Sequence, residues 1–264
     1  MIKKLDEILD TLKGNEKAVL SVAAAHDEEV LLAIKSATEM GIITPILVGH
    51  EDEIRNISNK INFNLDKIKI INKEWGLRTD SLLSHVMIYE VDFYHKLLVT
   101  TDGGMNIAPD YEQKVKILKN AIKATEPLGL KTIKVAALAA KEKVNPKMQA
   151  TIDAKQLEDA GKNGEFGENV IVEGPLAFDL AVSKEACKVK NFKTQVGGDV
   201  DIMLMPTIEV GNGIGKAFTY AAGAKSAGII MGAKAPIVLV SRADTHESKL
   251  YSIAYGAIVA SHKK

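Results

Sequence analysis

The alternation of short strand-like runs with amphipathic helical segments constrains the fold of this chain more than any other feature. Residues 18–23, 45–49 and 67–71 have the length and apolar content of strands, and helical periodicity lies between them. Asp27 is placed to cap the helix that follows the first run. Because alternating strands and helices form parallel sheets with helices on both faces, the pattern predicts an α/β fold.

The same alternation resumes after a break at Glu126-Pro127-Leu128-Gly129, which is the best domain boundary because Pro and Gly interrupt helices. A long helix of small residues is predicted over 211–227, and it would return the chain to the first domain. Further strands are predicted over 86–91, 97–101, 133–139, 169–172, 202–205 and 237–240. We therefore predict a discontinuous first α/β domain of residues 1–127 plus 226–264 and a second α/β domain of residues 128–225.

Composition argues against several classes of partner. Thirty-four basic residues balance 34 acidic residues, and such a neutral chain lacks the basic surface that nucleic acid binding demands. No window of 18 uncharged apolar residues occurs, so no membrane span is expected. The segment MIKKLDEILDTLKG carries charge in each turn, as in a mature amphipathic helix rather than a signal peptide. The single cysteine, Cys187, excludes an intramolecular disulfide and fits the cytoplasm, which is the predicted location.

A hydroxyl and a guanidinium, those of Ser241 and Arg242, follow the predicted strand 237–240, and a helix start follows from Asp244. In open parallel sheets ligands bind outside the carboxyl ends of strands, and helix N-termini favour anions. An Arg beside a Ser at such a point suits a phosphate or an acyl phosphate. The alternative interpretation is a surface turn whose Arg makes a salt bridge at the rim.

Other polar clusters follow predicted strands at 100–104, 173–175 and 206–212. In a doubly wound sheet such loops meet at one edge, so we predict that they line a single cleft. The alternative is that they are the turn residues that α/β proteins carry at these positions regardless of function.

The glycine-rich segment 211–216 fits neither the phosphate-loop spacing nor the dinucleotide fingerprint. What remains is a glycine-rich helix start with a lysine in its first turns, which can hold a phosphate oxygen through backbone N–H groups. The alternative is a flexible helix entry with Lys216 in solvent. The six histidines are scattered without metal-ligand spacing, so no metal site is predicted.

Six collinear segments together carry more information than any single motif. They are GLRTDSLLSHV (76–86), TDGGMNIAPDYEQK (101–114), EKVNPKMQATIDA (142–154), VEGPLAFDLAVSKEA (172–186), GGDVDIMLMPTIEVGNGIGKA (197–217) and GAKAPIVLVSRADTHESKLYSIA (232–254). In this order and over this length, the chain resembles the phosphate acetyl/butyryl transferase family, and within it the butyryl branch most closely.

The resemblance implies a fold similar to that of the isocitrate and isopropylmalate dehydrogenases, with two α/β domains, parallel-sheet cores and the site in the cleft between them. It implies an acyltransferase that reversibly moves a short-chain acyl group, butyryl or branched-chain, between coenzyme A and inorganic phosphate. Coenzyme A and phosphate are then substrates, and no metal or bound cofactor is expected. The expected partners are these small molecules and further copies of the chain in a homodimer or larger homo-oligomer, rather than nucleic acid or membrane.

The resemblance also implies roles for the matching residues. Ser241 is expected to hydrogen-bond near the reacting carbonyl or the thiol, and Arg242 to hold the phosphoryl group, because a planar fork suits a tetrahedral anion. Asp244 completes the predicted catalytic set. The predicted substrate-binding residues, which would clamp an anion or line the cleft near phosphate or coenzyme A, are Arg78, Asp102, Asn212 and Lys216.

Two departures from the family pattern bear on catalysis. The acetyl branch has an Asp seven residues after the matching Ser, whereas this chain has Ser248, which leaves Glu247 or Asp244 as substitutes for the general base. The family also continues after the strand at 67–71 through a further strand–helix unit, whereas here Ile71 leads almost at once into the GLRT segment. About one such unit is therefore predicted to be missing.

Three alternatives stay open at this point. The first is a phosphate acetyltransferase, since one methylene in an apolar pocket changes discrimination by only about 1–3 kcal/mol. The second is a non-catalytic relative that binds acyl-CoA or phosphate in the retained cleft. The third is a dehydrogenase on the same architecture, against which count the lack of a metal-binding Asp cluster and of a dinucleotide fingerprint.

Overall fold

The computed structural model of this chain describes residues 1–14, 16–23, 25, 27–71, 79, 81–239 and 244–262. The helices are α1 (Leu5–Leu12), α2 (Glu28–Glu39), α3 (Glu51–Lys60), α4 (Tyr111–Thr125), α5 (Gln149–Lys162), α6 (Phe178–Val182), α7 (Lys184–Val189), α8 (Ile208–Ala221) and α9 (His246–His262). The strands are β1 (Ala18–Ala23), β2 (Ile43–Val48), β3 (Lys69–Ile71), β4 (Ser84–Glu90), β5 (Leu98–Thr101), β6 (Ile133–Leu138), β7 (Val170–Leu176), β8 (Ile202–Leu204) and β9 (Lys225–Met231). Helices and strands alternate over most of the chain, as the sequence predicts, with exceptions such as β5, which follows β4 directly, and α7, which follows α6 directly.

The amino-terminal third forms a small parallel sheet in the order β1-β2-β3. The local signals that predict this region are confirmed. The Asp27 side chain accepts a hydrogen bond from the backbone N–H of Val30 at 2.9 Å and caps α2. Leu31, Ile34 and Leu47 are fully or almost fully buried between the helices and this sheet.

The remaining strands form a mixed sheet in the order β7-β6-β8-β5-β4-β9. Most neighbours are parallel, but β4 runs antiparallel to both β5 and β9. A wholly parallel sheet, which the alternation predicts, is therefore wrong for β4. The reason is the short connection from β4 to β5, because a parallel pair needs a crossover of a dozen or more residues.

The mixed sheet contains strands from both sides of the predicted domain boundary at residues 127 and 128, since β5 pairs in parallel with β8. The break itself forms a 3₁₀ turn over Glu126–Leu128. Helix α9 returns to the amino-terminal part of the chain, where the fully buried Tyr255 donates its hydroxyl to the carbonyl of Ala124 at 3.1 Å. This return is what a discontinuous first domain requires, and the division into two domains stays a prediction.

Two predicted elements near the carboxyl terminus are wrong. The helix predicted over 211–227 is α8, which begins at Ile208 and ends at Ala221. Gly223 follows it with a left-handed φ of 62°, and the small-residue run after that glycine is strand β9. Strand β9 pairs with β4 along its whole length, a tertiary contact that overrides local propensity. Of the predicted strand 237–240, residue 240 lies outside the described residues, and residues 237–239 form only an isolated bridge between Ile237 and Ile230, while Leu239 is 55% exposed.

In the part of the chain that the structure describes, no helix combines the length and the apolarity that a bilayer crossing requires.

Candidate active site

A cavity of about 140 Å³ lies where β4, β9, α8 and the start of α9 meet. Its floor is one face of β4, because His85, Met87 and Tyr89 alternate along the strand and point to the same side. Strand β9 contributes small residues beside them. Gly228 stands directly opposite Met87 in the strand register, and a Cβ at Gly228 would lie 2.5 Å from the Met87 sulfur. The missing side chain therefore leaves the space that the cavity occupies.

Helix α8 forms one wall of the cavity. Its residues Asn212, Gly215, Lys216 and Thr219 all line the cavity, which is the pattern expected for one face of a helix. Gly215 lets the helix approach the floor, since a Cβ there would lie 2.5 Å from the Tyr89 hydroxyl oxygen. Asn212 and Lys216 are exposed, and the approach of the helix brings both to the cavity.

The start of α9 and the residues before it form the opposite wall. Asp244, Ser248 and Ser252 line the cavity at intervals of one helical turn. The Ser252 hydroxyl donates to the carbonyl of Ser248 at 2.8 Å and accepts from the backbone N–H of Gly228 at 2.9 Å, which ties this wall to β9. The buried Lys249 donates to the main-chain carbonyl of Asp244 at 2.7 Å.

The negative charge of Asp244 affects the pKa values of two residues on the cavity floor, Tyr89 and His85. Burial raises the pKa of Tyr89 above its usual range, and the negative charge of Asp244 raises it further. Burial lowers the pKa of His85 below its ordinary value of 6.5, and the carboxylates of Asp102 and then Asp244 oppose this shift. His85 therefore lies in a pocket where its neutral form is favoured at rest, with two carboxylates nearby.

Asp102 lies behind the cavity and is 3% exposed. Its carboxylate accepts hydrogen bonds from the backbone N–H groups of His85 at 3.1 Å, Gly104 at 2.8 Å and Met105 at 2.9 Å. The side-chain amide of Asn106 donates to the same carboxylate at 2.6 Å. These contacts fix the turn after β5, and the Nδ2 group of Asn212 donates to the carbonyl of Gly103 in that turn at 3.2 Å.

Four of the predicted site residues are thus placed, and three of them meet at one cavity. Asn212, Lys216 and Asp244 line it, and Asp102 supports the turn beside it. Ser241, Arg242 and Arg78 lie outside the described residues. The turn after β5 and the start of α8 therefore converge, as predicted for the loops at 100–104 and 206–212.

The loop predicted at 173–175 does not converge on this cavity, because these residues belong to strand β7 at the far edge of the sheet. The strand predicted over 169–172 therefore covers only the first half of β7, which continues to Leu176. The Glu173 carboxylate there accepts from the backbone N–H of Gln195 at 2.8 Å and from the Thr194 hydroxyl.

Glu247, one of the two suggested substitutes for the general base, does not line the cavity. Its carboxylate lies 2.9 Å from the Tyr251 hydroxyl and 3.5 Å from the Lys225 ammonium, on another face of α9. His85, by contrast, lines the cavity and was not singled out by sequence reasoning. The available signal was its alternation with Met87 and Tyr89 in the SHVMIYE strand.

Among the described residues, no group of three or more His, Cys, Asp or Glu side chains is arranged to hold a metal ion. The charged groups at the cavity are instead of mixed sign, with a lysine on one wall and a carboxylate on the other. Such a set suits a polar organic substrate with an anionic group.

Solved structures define the class to which this architecture belongs. A branched-chain phosphotransacylase from Enterococcus faecalis gives a TM-score of 0.67 at 29% identity, covering 97% of this chain and 93% of that one. A phosphotransacetylase from Streptococcus pyogenes gives 0.77 at 17% identity over 98% of both chains. A 4-hydroxythreonine-4-phosphate dehydrogenase from Burkholderia phymatum gives 0.53 at 12% identity, covering 93% and 99%. The predicted α/β fold of the isocitrate dehydrogenase type is confirmed.

The sequence comparisons are more specific. The family model described as Phosphate acetyl/butaryl transferase matches residues 4–81 and 75–257. The phosphate butyryltransferase of Clostridium acetobutylicum is 37% identical over the whole of both chains. The probable phosphate butyryltransferase of Bacillus subtilis is 38% identical over 98% of this chain and 99% of its own. The chain belongs to the phosphate acetyl/butyryl transferase family, a family of acyltransferases, and the resemblance carried by its six segments is confirmed.

The lengths of these alignments bear on the missing strand–helix unit. The alignment with the C. acetobutylicum protein spans 302 positions and contains this whole chain of 264 residues, so 302 minus 264, or 38, positions have no residue of this chain. The two matches to the family model meet at residues 75–81. Both observations are consistent with the loss of one unit after residue 71, which stays a prediction.

Proposed function

We propose that this protein catalyses the reversible transfer of a short-chain acyl group, butyryl or branched-chain, between coenzyme A and inorganic phosphate. The observation that carries the proposal is the meeting of Asn212 and Lys216 from α8 with Asp244, which precedes α9, at one cavity, because separate elements bring these predicted site residues together. The names of the relatives, two of which are phosphate butyryltransferases and one a branched-chain phosphotransacylase, support the same reaction.

In the proposed reaction the sulfur of coenzyme A attacks the carbonyl carbon of the acyl phosphate, and phosphate leaves. Arg242 and Lys216 hold the phosphoryl oxygens, with Arg78 as a second anion clamp. Ser241 donates near the carbonyl oxygen, where negative charge develops and fixed donors lower the barrier. Holding both substrates in one cleft supplies the proximity contribution.

The remaining residues act on these groups. Asn212 lines the cleft and connects α8 to the turn after β5 through Gly103. Asp102 is proposed to position that turn, since its carboxylate is already occupied by backbone donors. Asp244 is proposed to contribute negative charge at the cavity.

The apolar part of the cavity supports an acyl chain longer than acetyl. Met87 and the exposed Leu239 line it beside the polar groups. We propose that coenzyme A and phosphate are substrates, that no cofactor or metal is bound, and that the protein works in the cytoplasm as a homodimer or larger homo-oligomer.

The test is the release of free coenzyme A from acetyl-, butyryl- and isobutyryl-CoA, each with and without phosphate. We expect phosphate-dependent release that is fastest with the four-carbon substrates. Arg242→Ala should lower kcat roughly 10²–10³-fold, as expected when a transition-state donor is removed. Arg55→Ala is the matched control, because Arg55 lies on α3 and pairs with Glu51. Absence of phosphate-dependent release would contradict the proposal.

A second candidate, a non-catalytic relative that binds acyl-CoA, is favoured by one observation. In the alignment with the C. acetobutylicum protein 38 positions have no residue of this chain, which is consistent with the predicted loss of one strand–helix unit after residue 71. Saturable binding of butyryl-CoA, measured by calorimetry, without turnover in the assay above would select this candidate over the acyltransferase.

A further inference from the structure

We infer that His85 is a catalytic residue that accepts the thiol proton of coenzyme A as the acyl group is transferred. This inference rests on the proposed function. The sequence left the general base open between Glu247 and Asp244, near the start of α9. The inference places this base on strand β4 instead.

The position of the imidazole is the first argument. His85 lies on the face of β4 that forms the cavity floor, and two glycines flank its ring. A Cβ at Gly104 would lie 2.5 Å from Nδ1, and a Cβ at Gly228 would lie 3.2 Å from Nε2. The ring is therefore closely confined, and its Nε2 atom lies beside Gly228, another residue of the cavity lining.

The hydrogen bonding of the ring is the second argument. Across the described ranges, the buried side-chain polar atoms without a partner are Ser58 Oγ, His85 Nδ1 and His246 Nδ1. Of these three residues, His85 is the one that lines the cavity. Buried polar groups are normally satisfied, and an exception at a cavity indicates a functional role more often than one elsewhere.

The backbone around His85 is held on both sides. Its N–H donates to the Asp102 carboxylate at 3.1 Å, and its carbonyl accepts from the Thr101 hydroxyl at 2.9 Å. The side chain thus stands on a fixed strand position, which proton transfer over hydrogen-bond distance requires.

The surrounding charges are the third argument. Burial keeps the pKa of His85 below its ordinary value, so the resting imidazole is neutral and can accept a proton. The carboxylates of Asp102 and Asp244 act in the opposite direction and stabilise the imidazolium when it forms. The other titratable groups among the described lining residues are Tyr89 from the same strand and Lys216 and Tyr220 from α8.

The thiol proton passes to the imidazole while the sulfur forms a bond to the carbonyl carbon of the acyl phosphate. The bond from that carbon to the bridging oxygen breaks, and phosphate leaves with the electron pair. The imidazolium then returns its proton to phosphate or solvent. In the reverse direction the imidazolium protonates the sulfur that leaves the thioester.

The experiment measures kcat for acyl transfer from butyryl phosphate to coenzyme A between pH 6 and 9. In His85→Gln we expect kcat at pH 7 to fall by roughly 10²–10³-fold, within the range for loss of a general base. The KM for coenzyme A should change little. The variant's rate should rise about tenfold per pH unit below the pKa of the coenzyme A thiol, because it depends on free thiolate. Added imidazole should partly restore kcat in His85→Ala.

The matched control is His95→Gln. His95 lies between β4 and β5, pairs with Asp199 at 2.8 Å and does not line the cavity, so this variant should keep the parent profile. An unchanged kcat in His85→Gln, or a lowered kcat with the parent pH profile and no imidazole rescue, would overturn the inference alone. Absence of turnover by the unaltered protein would contradict the proposed function, and with it this inference. Thermal melting of His85→Gln and His85→Ala identifies a folding defect.

Discussion

A cavity lies along each edge of the six-stranded sheet, and the two cavities differ in volume and in how far their charged and polar side chains have partners. The cavity along β7 has a volume of about 610 Å³, and the cavity between β4 and β9 has a volume of about 140 Å³. At the larger one every charged lining side chain except that of Lys193 has a hydrogen-bond or ion-pair partner among the described residues. Glu173 accepts from the backbone N–H of Gln195, and Glu158 lies 3.4 Å from Lys155 and also contacts Lys162.

At the smaller cavity several groups are left without such partners. No carboxylate among the described residues pairs with Lys216, and Nδ1 of His85 has no hydrogen-bond partner there. The comparison teaches that chemistry, rather than volume, separates the candidate site from a surface groove.

The largest effect is expected from closing the space between α8 and β4. In Gly215→Ala the new methyl group would lie 2.5 Å from the Tyr89 hydroxyl oxygen, so either α8, with Lys216, or the buried Tyr89 side chain must shift. We expect kcat/KM for acyl transfer to fall about 100-fold, the cost of a displacement near 1 Å at a reacting centre. Overpacking should also lower the free energy of unfolding by about 1–3 kcal/mol in urea titrations.

The matched control for this change lies on the same helix. A methyl group added at Gly213 would meet no heavy atom within 4 Å beyond its chain neighbours and the nearby backbone of its own helix, so Gly213→Ala should keep its activity. It should raise the free energy of unfolding by about 0.5–1 kcal/mol, because Ala is a better helix former than Gly. Equal behaviour of the two variants would show that the approach of α8 to the floor does not matter.

The next effect compares one lysine from each cavity. Lys216→Met should raise the KM for phosphate and lower kcat/KM by about 10–100-fold, which corresponds to roughly 1.5–3 kcal/mol for a hydrogen bond to a charged group. Lys162→Met at the larger cavity removes only a contact with Glu158 one turn away and should stay within about twofold of the parent. A larger loss in Lys162→Met would place the anion site along β7.

Local signals in the sequence were sufficient for part of the fold and part of the site. The cap at Asp27, helix α3 and the first two strands follow from residues that are neighbours in the chain. The convergence of the start of α8 with the turn after β5 was predictable, because both follow the parallel neighbouring strands β8 and β5. The family resemblance added the assignment of Lys216 and Asp244 to a phosphate-dependent reaction.

What was missed depends on contacts between distant segments. The run KSAGIIM has no strong preference, and its pairing with β4 decides that it is a strand. The face of β4 that carries His85 becomes a cavity floor only because α8 lies over it, which periodicity cannot show. Likewise, the four hydrogen bonds to the Asp102 carboxylate depend on the shape of the turn after β5.

The smallest expected effect is a pH dependence of stability that is linked to His85 at the smaller cavity and is not expected for Lys162 at the larger one. Burial lowers the pKa of His85 in the folded protein below its ordinary value of 6.5, so near and below that pH the unfolded chain binds more protons than the folded one. The stability linked to His85 is therefore full above pH 6.5 and is lost as the pH falls from there toward the folded-state pKa. Between pH 7 and pH 5, urea unfolding of His85→Gln should show a smaller loss of stability than the parent, while Lys162→Met should follow the parent. Parallel curves for His85→Gln and the parent would mean that the imidazole is not desolvated, and the chemical contrast between the two cavities would lose one of its supports.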